Sequence, residues 1–360
     1  MRRSTTTALA LSTVGLLAAG GMPAVAGPFP SAVPRATAPV TVAGQLAGPL
    51  TFAVGDRGKL YVGQSFSGAL TLVRPGRAPV NLVSVPGVEV AAVSAKGGGV
   101  TWAQTTFTER TVTRAVVKHR GKNGKVRQLA NTLAYERAAN PDGAKTYGFK
   151  GLTPACLAKT PTFLHPYTGR IDSHPYGSVT GRAGTYVADA GANALLKIDH
   201  RGRISTLAVL PSKTVRINAA AVAANKLDPC VVGRDFVLES VPTDVEIGPD
   251  GKLYVSSLPG GPEDGSLGAN GSVYRVNPKN GAVKLIATGF AGATNIAIAP
   301  NGTIYVAELF GGRVSSISHR GKVRPLVSLT QPAGLEWADG HLYVSTNVFG
   351  AGSIVKLKVR

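Results

Sequence analysis

Cysteine, long apolar runs and enzyme signature motifs are scarce in this sequence, and each scarcity excludes a class of protein. The chain has only two cysteines, too few for a cysteine-rich zinc site. After residue 26, no segment has the unbroken apolar length of a membrane helix. A Gly-x-Ser-x-Gly nucleophile motif, a Walker loop, a His-Glu-x-x-His pair and a dinucleotide fingerprint are all missing. These absences weigh against the common enzyme classes.

The N-terminal segment predicts export. A charged start at Arg2 and Arg3 is followed by a largely apolar stretch and by an Ala-x-Ala cleavage site that ends at Ala26. We therefore expect residues 1–26 to be a signal peptide and the mature protein to be secreted into the extracellular space. An uncleaved membrane anchor is the alternative, although the apolar stretch is short for a bilayer.

The composition of the mature chain favours strands and turns. Residues 27–39 are rich in Pro and small residues and predict a flexible leader. The whole sequence has 45 Gly and 24 Pro, only 16% charged residues, and few long helix-forming runs. Such a composition is typical of many short strands joined by turns, so the sequence predicts an all-β protein.

One strand-turn-strand unit recurs from near residue 50 to the C-terminus. The tight turns before its second strand often contain Asp-Gly or Asn-Gly, which supply the positive φ angles of short hairpins. A third and a fourth strand follow, which makes each unit a four-stranded antiparallel blade. The second strands of the six copies begin at Gly58, Gly99, Gly184, Gly251, Gly302 and Gly340. The sequence thus predicts a six-bladed β-propeller over residues 40–360.

Two insertions and an unpaired end modify the repeat. Blades need about 40–45 residues, so the wider spacings predict insertions at about 130–174 and 211–240. Cys156 lies in the first insertion and Cys230 in the second, and in an oxidising compartment we expect them to form a disulfide. The last unit lacks a fourth strand, and we expect residues 40–44 to supply it and close the ring.

Several segments resemble known exported propellers. The run Asp172-Ser173-His174-Pro175-Tyr176-Gly177, together with residues 134–143 and 241–245, resembles the ScyD/ScyE family, except that His174 stands where an Asn is expected. Residues 186–193 are similar to NHL-like and SMP-30/gluconolactonase-like repeats. The resemblance spans nearly all of the mature chain and implies an exported propeller. The family is associated with pigment biosynthesis in some bacteria, and the resemblance does not supply a biochemical activity.

Polar residues in the first strands of the last three blades predict a cation site at the mouth of the central channel. Counting back from each second strand places Asp244, Glu246, Asn295 and Glu336 in a common region. Carboxylate and amide oxygens suit Ca²⁺, and the SMP-30-like lactonases use a comparable set around a divalent ion. The alternative is that these groups bind channel water or the backbone of neighbouring blades.

Two further sets of polar residues have a catalytic and a structural interpretation. His174 lies near the expected channel mouth beside Asp172, which could orient it as a general base; a structural role in the turn before Pro175 is the alternative. A polar residue also ends each second strand, and we expect it to accept hydrogen bonds from the following turn. These residues are Gln64, Gln104, Asp189, Ser257, Glu308 and Thr346.

The positive charge is patterned. Lys and Arg number 39 against 19 Asp and Glu, which gives a formal net charge of +20. Turns between third and fourth strands carry Arg120, Lys122, Arg201, Arg203, Arg320 and Lys322. We expect a ring of cations on the face opposite the channel mouth, which could bind an anionic envelope polymer; a solvated rim is the alternative. Aromatic residues are not interleaved with these cations, which disfavours nucleic acid.

The expected function is therefore a ligand-binding or scaffold module of the cell envelope or extracellular space. We expect a monomer that binds an anionic polymer at its rim or a small ligand at the channel. The alternative is a metal-assisted hydrolase, specifically a Ca²⁺-dependent lactonase, with Asp244, Glu246, Asn295 and Glu336 as ligands and His174 as base. A streptogramin-lyase-like activity is disfavoured because the inner strands contain no pair of histidines.

Overall fold

The computed structural model describes residues 36–359. This part of the chain folds into seven four-stranded antiparallel sheets, which confirms the all-β prediction. The predicted signal peptide, residues 1–26, lies outside the described residues, as does most of the predicted leader. Among residues 36–359, none of the helices is long and apolar enough to cross a membrane.

Six sheets follow one another along the chain and are called sheets I to VI. Strand β1 (Val40–Leu46) precedes sheet I and belongs to sheet VI. Sheet I contains β2 (Thr51–Gly55), β3 (Lys59–Gln64), β4 (Ala69–Arg74) and β5 (Arg77–Ser84). Sheet II contains β6 (Val88–Lys96), β7 (Gly99–Thr108), β8 (Thr111–Arg120) and β9 (Val126–Asn131). Sheet III contains β12 (Pro175–Gly181), β13 (Gly184–Asp189), β14 (Ala194–Ile198) and β15 (Ile204–Val209).

The second half of the chain repeats the same order. Sheet IV contains β18 (Pro242–Ile247), β19 (Leu253–Ser257), β20 (Gly271–Val276) and β21 (Val283–Phe290). Sheet V contains β22 (Ala293–Ile298), β23 (Ile304–Glu308), β24 (Arg313–Ile317) and β25 (Val323–Ser328). Sheet VI contains β26 (Leu335–Ala338), β27 (His341–Thr346), β28 (Gly352–Lys358) and β1.

The first strands of these sheets lie side by side in a closed order. Each of β2, β6, β12, β18 and β22 contacts the first strand of the next sheet, and β26 contacts β2. The core lies between neighbouring sheets: Tyr186 and Leu195 of sheet III, for example, pack with Val245 and Val255 of sheet IV. Sheets arranged radially around a common centre in this way form a β-propeller.

The tight hairpins within sheets depend on close approach of aromatic rings to backbone. In sheet I, the Tyr61 ring lies over Gly55 at the end of β2, where a Cβ atom would come within 2.8 Å of the ring. The turn between β2 and β3 then places Arg57 in the left-handed region, at φ 59°. Glycine at position 55 therefore allows the tyrosine of the repeat to pack against its own hairpin.

The N-terminal strand closes the sheet formed by the C-terminus, as the sequence predicted. Strand β1 pairs antiparallel with β28, with Val40 opposite Lys356 and Thr41 opposite Val355. The pairing extends outward, because the backbone N–H of Thr37 donates to the Lys358 carbonyl at 2.9 Å. The edge of β28 that the incomplete last unit would expose is thus hydrogen-bonded to β1.

The two insertions form a seventh sheet, called the outer sheet. It contains β11 (Tyr167–Thr168), β10 (Thr146–Phe149), β17 (Asp235–Leu238) and β16 (Lys213–Arg216), in that order. Three helices flank these strands: α1 (Thr132–Ala139), α2 (Pro154–Leu157) and α3 (Ala219–Ala224). Short 3-10 helices lie at Asp56–Gly58, Thr162–Leu164 and Pro229–Val231.

A disulfide holds the outer sheet together. Cys156 and Cys230 are bonded, with their Cα atoms 5.8 Å apart, which confirms the predicted bridge between the insertions. The two insertions also pair through their backbones, with Gly148 opposite Val237 and Phe149 opposite Phe236. The sequence predicted two long loops here, whereas the structure has one sheet shared by both.

Candidate functional site

Two of the predicted acidic residues occupy equivalent places in the first strands of sheets IV and VI. Glu246 lies opposite Tyr254, and Glu336 lies opposite Tyr343, on the same position of their hairpins. In sheet II the alignment needs correction, because β6 contains an irregularity between Ala91 and Ser94. Ser94, not Ala92, is the residue that corresponds to Glu246.

Asp244 and Asn295 bind the backbone of the next sheet. The Ile296 N–H of sheet V donates to Asp244 Oδ2 at 3.1 Å, and the Leu335 N–H of sheet VI donates to Asn295 Oδ1 at 2.8 Å. Both side chains are buried. Burial raises the pKa of Asp244 to about 7, although the backbone hydrogen bonds act in the opposite direction. These two residues therefore join successive sheets near the centre of the ring.

Glu246 and Glu336 are half-buried and influence each other. Burial raises the pKa of each carboxyl well above its usual range, and the charge of Glu336 raises that of Glu246 further. Asp244 contributes in the same direction to both. Within residues 36–359, neither glutamate forms an ion pair. The centre of the ring thus holds carboxyl groups whose negative charges are mutually unfavourable.

The predicted ligands differ in their bonding. Asp244 and Asn295 accept hydrogen bonds from backbone amides of the next sheet, and none of the three carboxyls forms an ion pair within residues 36–359. Across the described chain, no group of three or more His, Cys, Asp or Glu side chains is arranged to hold a metal ion. A calcium ion at this position stays a prediction of the sequence.

His174 pairs with a glutamate that the sequence did not single out. Its Nε2 atom lies 2.8 Å from Glu89 Oε2, and its ring contacts the edges or faces of Phe107 and Tyr176. Its backbone N–H donates to Asp189 Oδ1 at 2.6 Å. The residue is only 7% exposed. The imidazole therefore links the segment before β12 to strand β6.

The protonation of His174 follows from these neighbours. Burial alone would lower its pKa, but the charge and hydrogen bond of Glu89, together with the charges of Asp172 and Asp189, raise it to about 9. At neutral pH the ring carries a proton and serves as the cation of an ion pair. The predicted role of His174 as a general base stays a prediction, and this arrangement favours the structural alternative.

A network of buried acids joins α1 and the outer sheet to sheet III. Glu136 is 1% exposed, and burial, followed by the charges of Asp189, Asp142 and Asp172, raises its pKa to about 8. Asp142 Oδ2 accepts hydrogen bonds from the Tyr147 hydroxyl at 2.9 Å and from the side-chain amide of Asn193, beside sheet III, at 2.8 Å. Two acids of the segment 134–143, Glu136 and Asp142, therefore lie in the interior, whereas residues 137–139 are exposed.

The predicted rim cations lie at one end of the sheets, here called the basic end. Arg120 and Lys122 are at the turn between β8 and β9, and equivalent turns of sheets III and V carry the other four. The first hairpin turns share this end, since His200 Nε2 lies 2.7 Å from the Arg182 carbonyl. Arg203 pairs with Asp199 at 2.8 Å. The other five predicted cations form no ion pair with described residues.

Acidic and basic residues are segregated between interior and surface. Five carboxylate residues are buried, whereas none of the Lys and Arg side chains in residues 36–359 is buried. The surface is therefore more positive than the formal net charge of +20 suggests. The buried acids are Glu136, Asp142, Asp189, Asp244 and Glu308.

A cavity opens at the basic end, away from the predicted acidic mouth. Its volume is about 470 Å³, and turns of sheets VI, I and II line it. Arg57, Lys59, Lys96 and Asp339 contribute charged side chains. The sequence prediction missed these residues because it considered the turns between third and fourth strands only. The run of three glycines that follows Lys96 was the available signal.

Comparison with known proteins supports a β-propeller and stops at the fold. No family model matches the sequence, and no curated protein matches it. Solved structures match over most of the chain, at low sequence identity. The PQQ-bound aldose sugar dehydrogenase from Streptomyces coelicolor superposes with a TM-score of 0.57 and 13% identity, over 92% of this chain and 100% of that one. A gluconolactonase from Xanthomonas campestris gives 0.55 and 11%, over 91% and 95%.

A third structure agrees with these two. The glucose dehydrogenase-type oxidoreductase from Thermus thermophilus gives a TM-score of 0.56 at 16% identity, over 90% of this chain and 100% of that one. Two of the three proteins are named as sugar dehydrogenases and the third as a gluconolactonase, so one architecture carries more than one named activity. At such identities the similarity establishes architecture and carries no activity across.

Proposed function

We propose that this chain is a secreted six-bladed β-propeller that binds anionic polymers of the cell envelope through its basic end. The number of blades rests on the closed order of the first strands, with the outer sheet excluded because both insertions build it. Secretion rests on the N-terminal segment and is compatible with the disulfide.

We also infer membership of the ScyD/ScyE family of exported propellers. The segments that carry the resemblance have interior roles in this chain: Glu136 and Asp142 are buried, and His174 is ion-paired with Glu89. Residues with such roles are constrained by packing and charge, which supports a shared architecture across the resembling segments.

The segregation of charge carries the proposal for polymer binding. Five rim cations without ion pairs share one end of the molecule, while five acids are withdrawn into the interior. A surface of one sign attracts a polymer of the opposite sign, and salt weakens the attraction. Nothing in this argument needs a catalytic group.

Co-sedimentation with purified envelope tests the proposal. Binding should be strong at about 20 mM salt and mostly lost at about 500 mM, because the screening length falls steeply over that range. A variant with Gln at four rim positions should bind several-fold less than the wild type. Those positions are Arg120, Lys122, Arg320 and Lys322.

A matched control separates the basic end from total charge. Gln at four exposed cations of the insertions removes the same charge from another surface, and this variant should bind like the wild type. The control positions are Arg137, Lys145, Lys226 and Arg234. Equal loss of binding in both variants, or binding that does not respond to salt, would contradict the proposal.

A metal-assisted lactonase is the alternative, and one observation favours it. Burial is the main cause of the raised pKa values of Glu246 and Glu336, and the charges of neighbouring carboxylates add to it; a bound cation would relieve that repulsion. If Ca²⁺ binds there, it should raise the melting temperature of the wild type but not of a Glu246→Gln, Glu336→Gln variant. Turnover of a lactone panel that the same variant abolishes would establish the alternative, and no calcium-dependent shift would remove it.

A further inference from the structure

The cavity at the basic end has the features of a ligand site. It lies where the first hairpin turns of sheets VI, I and II meet, and its volume of about 470 Å³ falls in the range of small-molecule sites. Its charged lining comes from three sheets: Asp56, Arg57 and Lys59 from sheet I, Lys96 from sheet II, and Asp339 from sheet VI. These charges come together only in the folded ring.

One side of the cavity is cationic. Arg57, Lys59 and Lys96 form no hydrogen bond or ion pair through their side chains within the described chain. A fourth cation stands beside them, because a Cβ atom on Gly98 would lie 3.3 Å from Lys122 Cγ. Lys122 is one of the rim cations, so the cavity and the basic rim are continuous.

A glycine turn adds backbone donors to this side. Lys96 pairs with Gly99 across a two-residue turn in which Gly97 and Gly98 have φ angles of 56° and 78°. Neither turn residue has a side chain to cover its amide, and Gly97 is exposed. Exposed amides in glycine turns beside Lys and Arg are favourable neighbours for an oxyanion.

Two carboxylates also line the cavity, Asp56 in the turn of sheet I and Asp339 in the turn of sheet VI. The carboxyls of Asp56 and Asp339 accept no hydrogen bond and form no ion pair within residues 36–359. A simple anion would gain from the cations but would be repelled by these two carboxylates. A ligand that satisfies both the cations and the carboxylates must present an anionic group together with hydroxyl donors, because carboxylates accept hydrogen bonds from hydroxyls.

We propose that this cavity binds a polyol phosphate. The phosphate lies against Arg57, Lys96 and the glycine turn, and the hydroxyl groups donate to Asp339 and Asp56. The inference rests on the proposed function and deepens it, since a chain of polyol phosphates is one kind of anionic polymer. The rim then supplies general attraction, and the cavity selects the repeating unit.

Calorimetry with glycerol 3-phosphate tests the cavity directly. The wild type should bind this probe more tightly than inorganic phosphate and should not bind glycerol. An Arg57→Gln, Lys96→Gln variant should lose about tenfold in affinity, since two exposed charge contacts together supply roughly that factor. An Asp339→Asn variant should bind glycerol 3-phosphate several-fold more weakly than the wild type, and its affinity for inorganic phosphate should be unchanged or higher.

A control with the same charge change lies on the same end. A Lys252→Gln, Lys279→Gln variant removes two cations from turns of sheet IV, outside both the cavity lining and the six rim positions, and should bind glycerol 3-phosphate within about twofold of the wild type. Lys59→Gln provides an independent cavity variant if the double variant loses stability. Poly(glycerol phosphate) and vesicles of phosphatidylglycerol distinguish a polymer from a lipid headgroup as the source.

The outcomes separate the cavity from the proposed function. The proposed ligand of the cavity is overturned if the cavity and control variants lose equal affinity for glycerol 3-phosphate. It is also overturned if the wild type does not prefer glycerol 3-phosphate to inorganic phosphate. Neither result contradicts envelope binding. If the protein binds glycerol 3-phosphate but does not bind purified envelope at low salt, the proposed function is overturned and the proposed ligand of the cavity stands. Preference for the vesicles over the polymer overturns the polymer as the source.

Discussion

In several sheets, a polar residue at the end of the second strand accepts a hydrogen bond from the segment that leads into the first strand. In sheet III, Asp189 accepts from the backbone of His174, and in sheet V, Glu308 Oε2 accepts from the Ala291 N–H at 2.9 Å. In both cases the partner is the segment that leads into the first strand. The sequence predicted the following turn instead; Asp189 does both, because Ala192 also donates to it at 3.3 Å.

Glu308 is the most heavily bonded of these residues. It is fully buried and accepts from Arg313 at 2.7 Å and 3.0 Å, from Ala291, and from Ser315. Replacing it with Ala leaves these donors unsatisfied, and we expect a loss of about 3 kcal/mol or more in the free energy of unfolding. Chemical denaturation measures the loss. Glu109→Ala, at an exposed turn, is the control and should change stability by less than about 0.5 kcal/mol.

His174 should titrate well above the usual range for histidine. Its pKa is raised from 6.5 to about 9, so its contribution to stability is complete below 6.5 and is lost as the pH rises through 9. An NMR titration of the imidazole measures the pKa. Glu89→Gln should lower it, since the main stabilising charge is removed. A wild-type pKa at or below 6.5 would show that the ion pair does not form.

At the scale of elements, the sequence predicted the strands of the repeated sheets and missed the outer sheet, which has no counterpart in the repeat. The glycine turns and alternating strands located the first hairpins of sheets I to VI and the role of residues 40–44. The outer sheet escaped prediction because β11 has two residues and β10, β16 and β17 four each, too short to show a period. Its pairings join segments far apart in sequence, such as Gly148 and Val237.

The sequence predicted the strands that carry Asp244 and Asn295 but not their bonding. Both residues lie in first strands, as the count along the repeat indicated, and their partners are amides of other sheets, which spacing alone does not reveal. Glu89 was missed as the partner of His174 because the two residues are 85 positions apart. The cavity was missed because its lining comes from three separate turns.

Removing the first strand should destabilise the ring. Deletion of residues 38–47 removes β1 and its hydrogen bonds to β28, which exposes the edge of sheet VI. We expect the melting temperature to fall by roughly 10 °C or more, since each kcal/mol corresponds to a few degrees in a chain of this size. Deletion of residues 27–35 is the control and should have little effect. An unchanged melting temperature without β1 would refute its structural role.

At the scale of the whole molecule, the buried acids tie stability to pH. Burial is the main cause of the raised pKa of Glu136 at about 8, Asp244 at about 7, and Asp189 and Glu239 at about 6. A carboxyl with a raised pKa contributes its stability below the unfolded value, near 4, and loses it as the pH rises through the folded value. His174 adds a loss of the same sign up to about pH 9.

The protein should therefore become less stable from about pH 5 to pH 9. Denaturation curves at constant ionic strength across this range measure the slope, which follows from the greater proton binding of the folded state. Glu136→Gln should flatten the curve between its ordinary pKa of 4.5 and about 8. Maximal stability at pH 8 or above would contradict the assignment of these interior carboxyls.

The seam between β1 and β28 also sets an order of events in time. Thr37 and Lys358 are hydrogen-bonded across 321 positions of sequence, so the first strand to be synthesised must wait for the last. Until β28 is made, β1 has no partner and its edge stays open. A nascent chain that ends before β28 cannot close the ring, and its unpaired strand edge is open to association with other chains. Closure of the ring thus reports that synthesis has passed β28.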